Sequence, residues 1–309
     1  MITRADIAAA NVRIRPFIRR TPVLQLDKTE SQLPAPITLK LELLQHAGSF
    51  KPRGAFNRLL AAGRPTQGVI AASGGNHGAA VAFVARALGL RAEIFVPETT
   101  PPAKIQRIAG YGARVVRTGA NYAEALAASR TRQAETSALE VHAYDHQDVL
   151  AGQGTVGQEF EHQAPELTHV LVAAGGGGLI GGTAAWYAGS AAVISVEPET
   201  CPALQKALAA GKPVPVSVGG VAADSLGASQ VGALMFPIAT AYVAAAVLVT
   251  DESIRAAQRW LWDQLRIIAE PGGATALAAV LSGAFVPPEN ARVGVVVCGG
   301  NTDPASITT

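Results

Sequence analysis

The chain has 309 residues, enough for two modest domains or one large one with ample core. Its 25 Lys and Arg against 23 Asp and Glu leave a net charge of +2, with no basic block or aromatic-interleaved patch, so no nucleic-acid partner is expected. Hydrophobic residues reach 49%, yet the longest apolar stretch, around residues 241–249, is far too short to span a bilayer. Cys201 and Cys298 stand in unrelated contexts and support neither a disulfide framework nor a CxxC site, so a reducing cytoplasm is the compartment the composition fits.

Residues 1–20 are arginine-rich but carry Asp6 and no apolar h-region, which predicts an ordinary first helix rather than a transit peptide. A strand is expected over residues 37–42. The run Gly48-Ser49-Phe50-Lys51-Pro52-Arg53-Gly54-Ala55 follows, with Pro52 suited to the first position of a helix. That sets the Lys51 amine at a positive helix start, where an ammonium is disfavoured and a lysine working neutral or as an imine is assisted. A solvated lysine at a loop end is the competing reading.

From residue 68 short β-rich runs alternate with alanine-rich stretches. Strands are predicted at 68–73, 92–96, 114–118, 140–144, 169–174, 193–197, 244–250 and 293–298. Helices are predicted at 78–88, 102–109, 122–137, 149–161, 179–187, 252–267 and 274–281. This is the pattern of an α/β fold built on parallel sheets with crossover helices. The strands are many for one open sheet, and residues 68–144 are compact enough to form a separate lobe, which places a ligand site between two lobes beyond the carboxyl ends of the strands. Residues 212–232, rich in Gly, Val and Ser, lack periodicity and are expected to form a long loop.

Three glycine loops carry the chemistry. Gly175, Gly176, Gly177 and Gly178 lie between a predicted strand and a predicted helix, so several N–H groups and the helix dipole can face one anion. The loop lacks the Lys and Ser/Thr of a P-loop. Gly176, Gly178 and Gly181 also satisfy GxGxxG, with Glu197 at the end of the next strand, so phosphate binding and dinucleotide binding both remain open on these residues. The second loop, Ser73-Gly74-Gly75-Asn76-His77-Gly78, offers N–H groups, a hydroxyl and an amide to a carboxylate or a phenolic oxygen. His77 reads equally as a satisfied structural group. The third loop, Cys298-Gly299-Gly300-Asn301, ends the last predicted strand, and its cysteine reads by itself as a small buried hydrophobe. Glu270-Pro271-Gly272-Gly273 and residues 151–155 read as helix-opening and helix-packing glycine segments.

Together the four runs around Lys51, Asn76, Gly175–Gly178 and Cys298 resemble, in order and spacing and over nearly the whole chain, the serine/threonine dehydratase family of fold-type II pyridoxal-phosphate enzymes. The run from Tyr144 to Thr155 is also close to the dehydratase pattern. The resemblance replaces the dinucleotide reading with pyridoxal 5'-phosphate as cofactor. It implies two lobes, each a mostly parallel sheet flanked by helices: a large cofactor-binding domain of residues 1–52 and 147–309 and a small substrate-loop domain of residues 53–146. It further implies that Lys51 holds the cofactor as an imine and later takes the Cα proton, that Phe50 packs near the ring, and that Asn76 bonds its phenolic oxygen. Gly175, Gly176, Gly177 and Gly178 would bind the phosphate, and Cys298 would face the ring nitrogen. Ser73, Gly74, Gly75, Asn76 and His77 would receive the substrate carboxylate. A neutral thiol opposite the ring nitrogen leaves a weaker electron sink, which favours loss of a β-substituent over transamination.

The expected reaction is therefore dehydration and deamination of L-threonine or L-serine to 2-oxobutanoate or pyruvate plus ammonia, with phenylserine or hydroxyaspartate as alternative substrates. Gly74 stands where racemases of this fold carry an acid serine, so racemisation is disfavoured; a cofactor-binding protein without turnover is a further alternative. Cys201 and Ala203 stand where a divalent cation would need ligands beside Glu197, so no metal site is expected. The sequence stops soon after the last motif, so no regulatory domain and no feedback control are expected, and the family suggests a homodimer.

Overall fold

Alternating β-branched runs and alanine-rich stretches fold into two sheets with helices packed on their faces. The computed structural model describes residues 1–28 and 33–308. Six strands make the first sheet, in the order β1 (Val23–Leu26), β2 (Ile37–Lys40), β10 (Val293–Val296), β7 (His169–Ala173), β8 (Ala192–Pro198) and β9 (Val243–Val249). The β1 pairing is antiparallel, while β2, β10, β7, β8 and β9 run parallel. Four strands make the second, wholly parallel sheet, in the order β5 (Arg114–Arg117), β4 (Ala92–Val96), β3 (Val69–Ala72) and β6 (Leu139–Glu140). The fold class is α/β, as the alternation implies.

Parallel strands covered on both faces must be apolar throughout, and β3 and β10 are buried along their whole length. The largest apolar cluster packs Val170, Leu171 and Val172 with Ile37, Leu39, Val293 and Val295. A second gathers Val69, Ala71, Val81, Val84 and Ile94 around the four-stranded sheet. Each fully buried Val, Leu or Ile contributes about 1.5–3 kcal/mol, so these clusters are the dominant stabilising feature.

The strand predicted at 140–144 is cut to Leu139–Glu140. His142 is the reason: its Nδ1 accepts N–H bonds from Tyr144 at 3.3 Å and Asp145 at 2.8 Å, which turns the chain out of the sheet. The helix predicted from residue 78 starts at Asn76 (Asn76–Ala87), and the one predicted from residue 274 starts at Pro271 (Pro271–Leu281). Strand β1 and the helix Ala203–Ala210 were not expected. Residues 212–232 are irregular apart from the short helix Ala223–Leu226. No helix among the described residues is long and apolar enough to cross a membrane.

The lysine-bearing helix, Lys51–Ala61, is anchored by a buried ion cluster. Arg53 donates to Glu42 through Nε at 2.8 Å and Nη2 at 2.7 Å, a bidentate pair with both side chains fully buried. Glu159, from the helix Gln147–Gln163, bridges Arg53 at 3.2 Å and the buried Lys40 amine at 2.5 Å. Glycines let these two helices meet: a Cβ on Gly152 would lie 2.6 Å from the Arg53 carbonyl and 2.7 Å from the Gly54 Cα. Residues 151–155 therefore serve helix packing, as their spacing suggested.

Candidate active site

Four chain segments leave parallel strands at their carboxyl ends and meet in one place. After β2 the chain runs through two short 3-10 turns to Lys51, and after β10 it reaches Cys298. Backbone bonds zip these two segments together: the Phe50 N–H donates to the Cys298 carbonyl at 3.1 Å and the Gly300 N–H to the Gly48 carbonyl at 3.0 Å. After β7 come Gly175 to Gly178, and after β3 come Ser73 to His77. Phe50, Lys51, Asn76, Gly175, Gly176, Gly177, Gly178 and Cys298 line one chamber of about 40 Å³ together with Tyr144 and Glu270. It shares Lys51, Asn76, Tyr144 and Gly176 with a larger cavity of about 650 Å³, which Ser73, Gly74, Gly75 and His77 also line.

Lys51 is the first residue of its helix and donates to the Ala143 carbonyl at 2.9 Å, its Nζ lying 5.1 Å from the Phe50 ring centroid. Desolvation pushes its pKa down to about 8 against weaker upward pulls from Cys298 and Glu270. Cys298 donates its thiol proton to the Gly272 carbonyl at 3.3 Å; burial pushes its pKa up, holding it as a neutral thiol.

Side chains on the glycine loop would collide with the segments packed against it. An ideal Cβ on Gly176 would sit 2.3 Å from Tyr144 Cδ1, and one on Gly175 would sit 2.6 Å from the Leu226 carbonyl. Gly177 has φ +92°, a conformation open to glycine and strained for other residues. It caps the helix Gly178–Tyr187, whose first N–H groups have no partner within the helix and point toward this loop.

The Asn76 amide is held from two sides, its Nδ2 donating to Glu270 Oε1 at 2.5 Å and its Oδ1 accepting from Asn301 Nδ2 at 2.7 Å. Glu270, 4% exposed, is a residue the motifs did not single out. Desolvation raises its pKa to about 7 against the pull of the Asn76 bond. Ser73 accepts the Gly75 N–H through Oγ at 3.2 Å. His77 bonds the Val141 carbonyl through Nε2 at 2.7 Å, and burial pushes its pKa down to about 3, so its ring is a neutral structural group and its backbone is what the loop offers. Glu197 lies elsewhere and accepts N–H bonds from Leu204 at 2.7 Å and Gln205 at 2.8 Å, capping the helix Ala203–Ala210. No group of three metal-ligating side chains occurs among the described residues.

A buried amine at a helix start, a glycine loop leading into a second helix and a neutral thiol line one chamber, an arrangement suited to an anionic group beside a reactive lysine. The family model of pyridoxal-phosphate dependent enzymes matches residues 14–299. An L-threonine ammonia-lyase of Geobacter sulfurreducens is 39% identical over 313 residues, covering 100% of this chain and 78% of that protein. A phenylserine dehydratase of Ralstonia pickettii is 37% identical over 308 residues, covering 97% of this chain and 93% of its own. The solved structure of maize serine racemase superimposes with a TM-score of 0.94 at 33% identity, covering 99% of this chain and 95% of that one. The chain belongs to the pyridoxal-phosphate-dependent enzymes, in the fold-type II serine/threonine dehydratase family. It is a pyridoxal-phosphate-dependent ammonia-lyase. The residues fit the cofactor on the geometry above: a glycine loop opening a helix lines the chamber together with Lys51, whose pKa burial lowers to about 8, and with Cys298, which burial holds as a neutral thiol.

Proposed function

We propose that the chain dehydrates and deaminates a neutral 3-hydroxy amino acid, L-threonine or L-serine, to the 2-oxo acid and ammonia. When bound, pyridoxal phosphate draws electrons from the substrate Cα, making its proton acidic and its β-substituent able to leave. Lys51 is the covalent anchor and the base for the Cα proton, a role its depressed pKa near 8 suits at neutral pH. Gly175 to Gly178 hold the phosphate through backbone N–H groups, Phe50 packs beside the ring, and Asn76, fixed by Glu270 and Asn301, presents its remaining N–H to the ring's oxygen. Ser73 to His77 receive the substrate carboxylate at the start of the helix Asn76–Ala87. Cys298 meets the ring nitrogen without charge and thereby favours loss of the hydroxyl. Gly74 has no side chain to deliver a proton to the opposite face of Cα, which separates this site from a racemase. The two sheets correspond in this reading to a cofactor lobe of residues 1–52 and 147–309 and a substrate lobe of residues 53–146, paired in a homodimer.

The observation that carries this reading is the Lys51 amine, buried in the same chamber as the glycine cradle and the Cys298 thiol. A second reading, turnover of phenylserine, is supported by the cavity itself: at about 650 Å³ and lined by Tyr122, Tyr144, Val218 and Leu226, it exceeds what a methyl side chain needs. Cofactor-loaded protein should release 2-oxo acid from threonine, serine or threo-phenylserine, and Lys51→Ala should abolish both that release and the absorbance of the lysine-bound cofactor. Cofactor absorbance that survives Lys51→Ala unchanged would refute the assignment.

A further inference from the structure

Among the described residues that line the 650 Å³ cavity, Lys51 aside, one ammonium and one carboxylate are present, Lys104 and Asp224. They neutralise each other: Lys104 Nζ donates to Asp224 Oδ1 at 2.5 Å, joining two elements 120 residues apart in sequence. Lys104 sits on the helix Pro102–Gly110, which follows β4, and Asp224 on the short helix Ala223–Leu226, within the irregular segment 212–232. The pair stands beside the loop that the reading above gives to the substrate carboxylate. A Cβ on Gly75 would lie 3.4 Å from the Asp224 carbonyl oxygen and 3.9 Å from Asp224 Oδ1.

We infer that Asp224 sets the substrate class by occupying Lys104, so that the cavity accepts a neutral side chain and refuses one that carries a second carboxylate. This rests on the substrate loop proposed above. A ligand anchored there by its α-carboxylate extends its side chain into the same cavity, where an anionic group meets Asp224 directly and finds no free cation. Like-charge juxtaposition and an unpaired carboxylate are both penalised on binding, which is how a site rejects a near relative of its ligand. With Asp224 made neutral, Lys104 becomes a free ammonium in the side-chain region and can pair with the second carboxylate of aspartate or 3-hydroxyaspartate.

The test compares binding of L-aspartate and L-alanine to the cofactor-loaded enzyme by titration calorimetry, in the wild type, Asp224→Asn, Lys104→Met and the double variant. Neither ligand carries a β-hydroxyl, so the result does not depend on elimination. Both side chains are partly exposed, at 54% for Asp224 and 30% for Lys104, so the effect is discounted for solvent screening. Asp224→Asn should raise the aspartate-to-alanine affinity ratio at least about fivefold, and Lys104→Met added to it should return the ratio to the wild-type value. A parallel assay of 2-oxo acid from 3-hydroxyaspartate and threonine should show the same shift in relative kcat/KM. The inference is overturned if the ratio stays within twofold in Asp224→Asn, or if the gain persists in the double variant. A uniform loss for both ligands at constant ratio would mark the pair as a structural clip and likewise overturn it. Should the ratio move while no 3-hydroxy amino acid is turned over, the proposed activity fails and the role of Asp224 stands.

Discussion

Replacing Gly176 by alanine tests the cofactor cradle with a single methyl group. The added Cβ would lie 2.3, 2.4 and 2.5 Å from Cδ1, Cε1 and Cγ of Tyr144, whereas carbon atoms pack at about 3.5–4.0 Å. The Tyr144 ring must withdraw by about an ångström. It is held by an Oη bond to the Gln230 carbonyl at 3.3 Å and by an edge contact with His142, ring centroids 4.9 Å apart. Overpacking of this kind costs about 1–3 kcal/mol, which corresponds to roughly a 5- to 150-fold loss of cofactor affinity if it falls wholly on the bound state. Gly178→Ala is the milder neighbour, its Cβ 3.0 Å from Tyr144 Cβ, and Gly110→Ala is the control, with nothing within 4 Å. The assay titrates pyridoxal phosphate into each apoprotein by absorbance and records the melting temperature of each, so that a penalty falling on the free protein is also seen. Affinity should fall in the order Gly110→Ala, Gly178→Ala, Gly176→Ala. A Gly176→Ala protein with wild-type affinity and wild-type melting would refute the steric reasoning.

Arg53→Leu leaves the fully buried Glu42 carboxylate without its ion-pair partner, with only the Thr21 hydroxyl still donating to it, a loss of about 3–5 kcal/mol, and thermal denaturation should show a fall of roughly 5–15 °C. Glu270, its pKa raised by burial to about 7 from 4.5, keeps its proton in the folded apoprotein at pH values where the unfolded chain has lost it. Its contribution is therefore complete below about pH 4.5 and fades as pH rises toward 7, by up to about 3 kcal/mol. Glu270→Gln should remove that fade, so denaturant titrations from pH 5 to 7 should show the variant gaining on the wild type. A flat difference across that window would contradict the burial argument. Chelators should leave kcat within twofold, because Glu197 already accepts two backbone N–H bonds and Ala203 supplies no ligand.

Legibility in the sequence followed the range of the interactions. Lys51, Gly175 to Gly178 and Cys298 were readable as positions, because each lies where a strand gives way to a glycine turn or a proline-led helix and those signals are local, while the roles given to them rest on the family resemblance. The limits of strand 140–144 were not, since a side chain two or three residues away, His142, captured the N–H groups that would have continued the ladder. Glu270 reads locally as a helix-opening residue because its partner Asn76 lies 194 positions away, and the pairing of Lys104 with Asp224 spans 120. In each of these the identity of the residue was plain and its partner was not.

The same distinction explains why reaction and substrate separate in this chain. In the proposed reading the elements that make the chemistry possible lie at the carboxyl ends of β2, β7 and β10, strands paired within one sheet and packed on one core, so their mutual geometry is fixed by register and burial. In the same reading the groups facing the substrate side chain come from the connection after β4 and from Tyr122 beyond β5, both leaving the second sheet, and from the irregular segment 212–232, all outside the sheet formed by β2, β7 and β10. Loops carried on a rigid scaffold vary at low cost to the fold. Relatives named for threonine and for phenylserine are alike compatible with one catalytic centre, and the residues that choose between such substrates are to be sought at Lys104, Tyr122, Val218 and Asp224 rather than around Lys51.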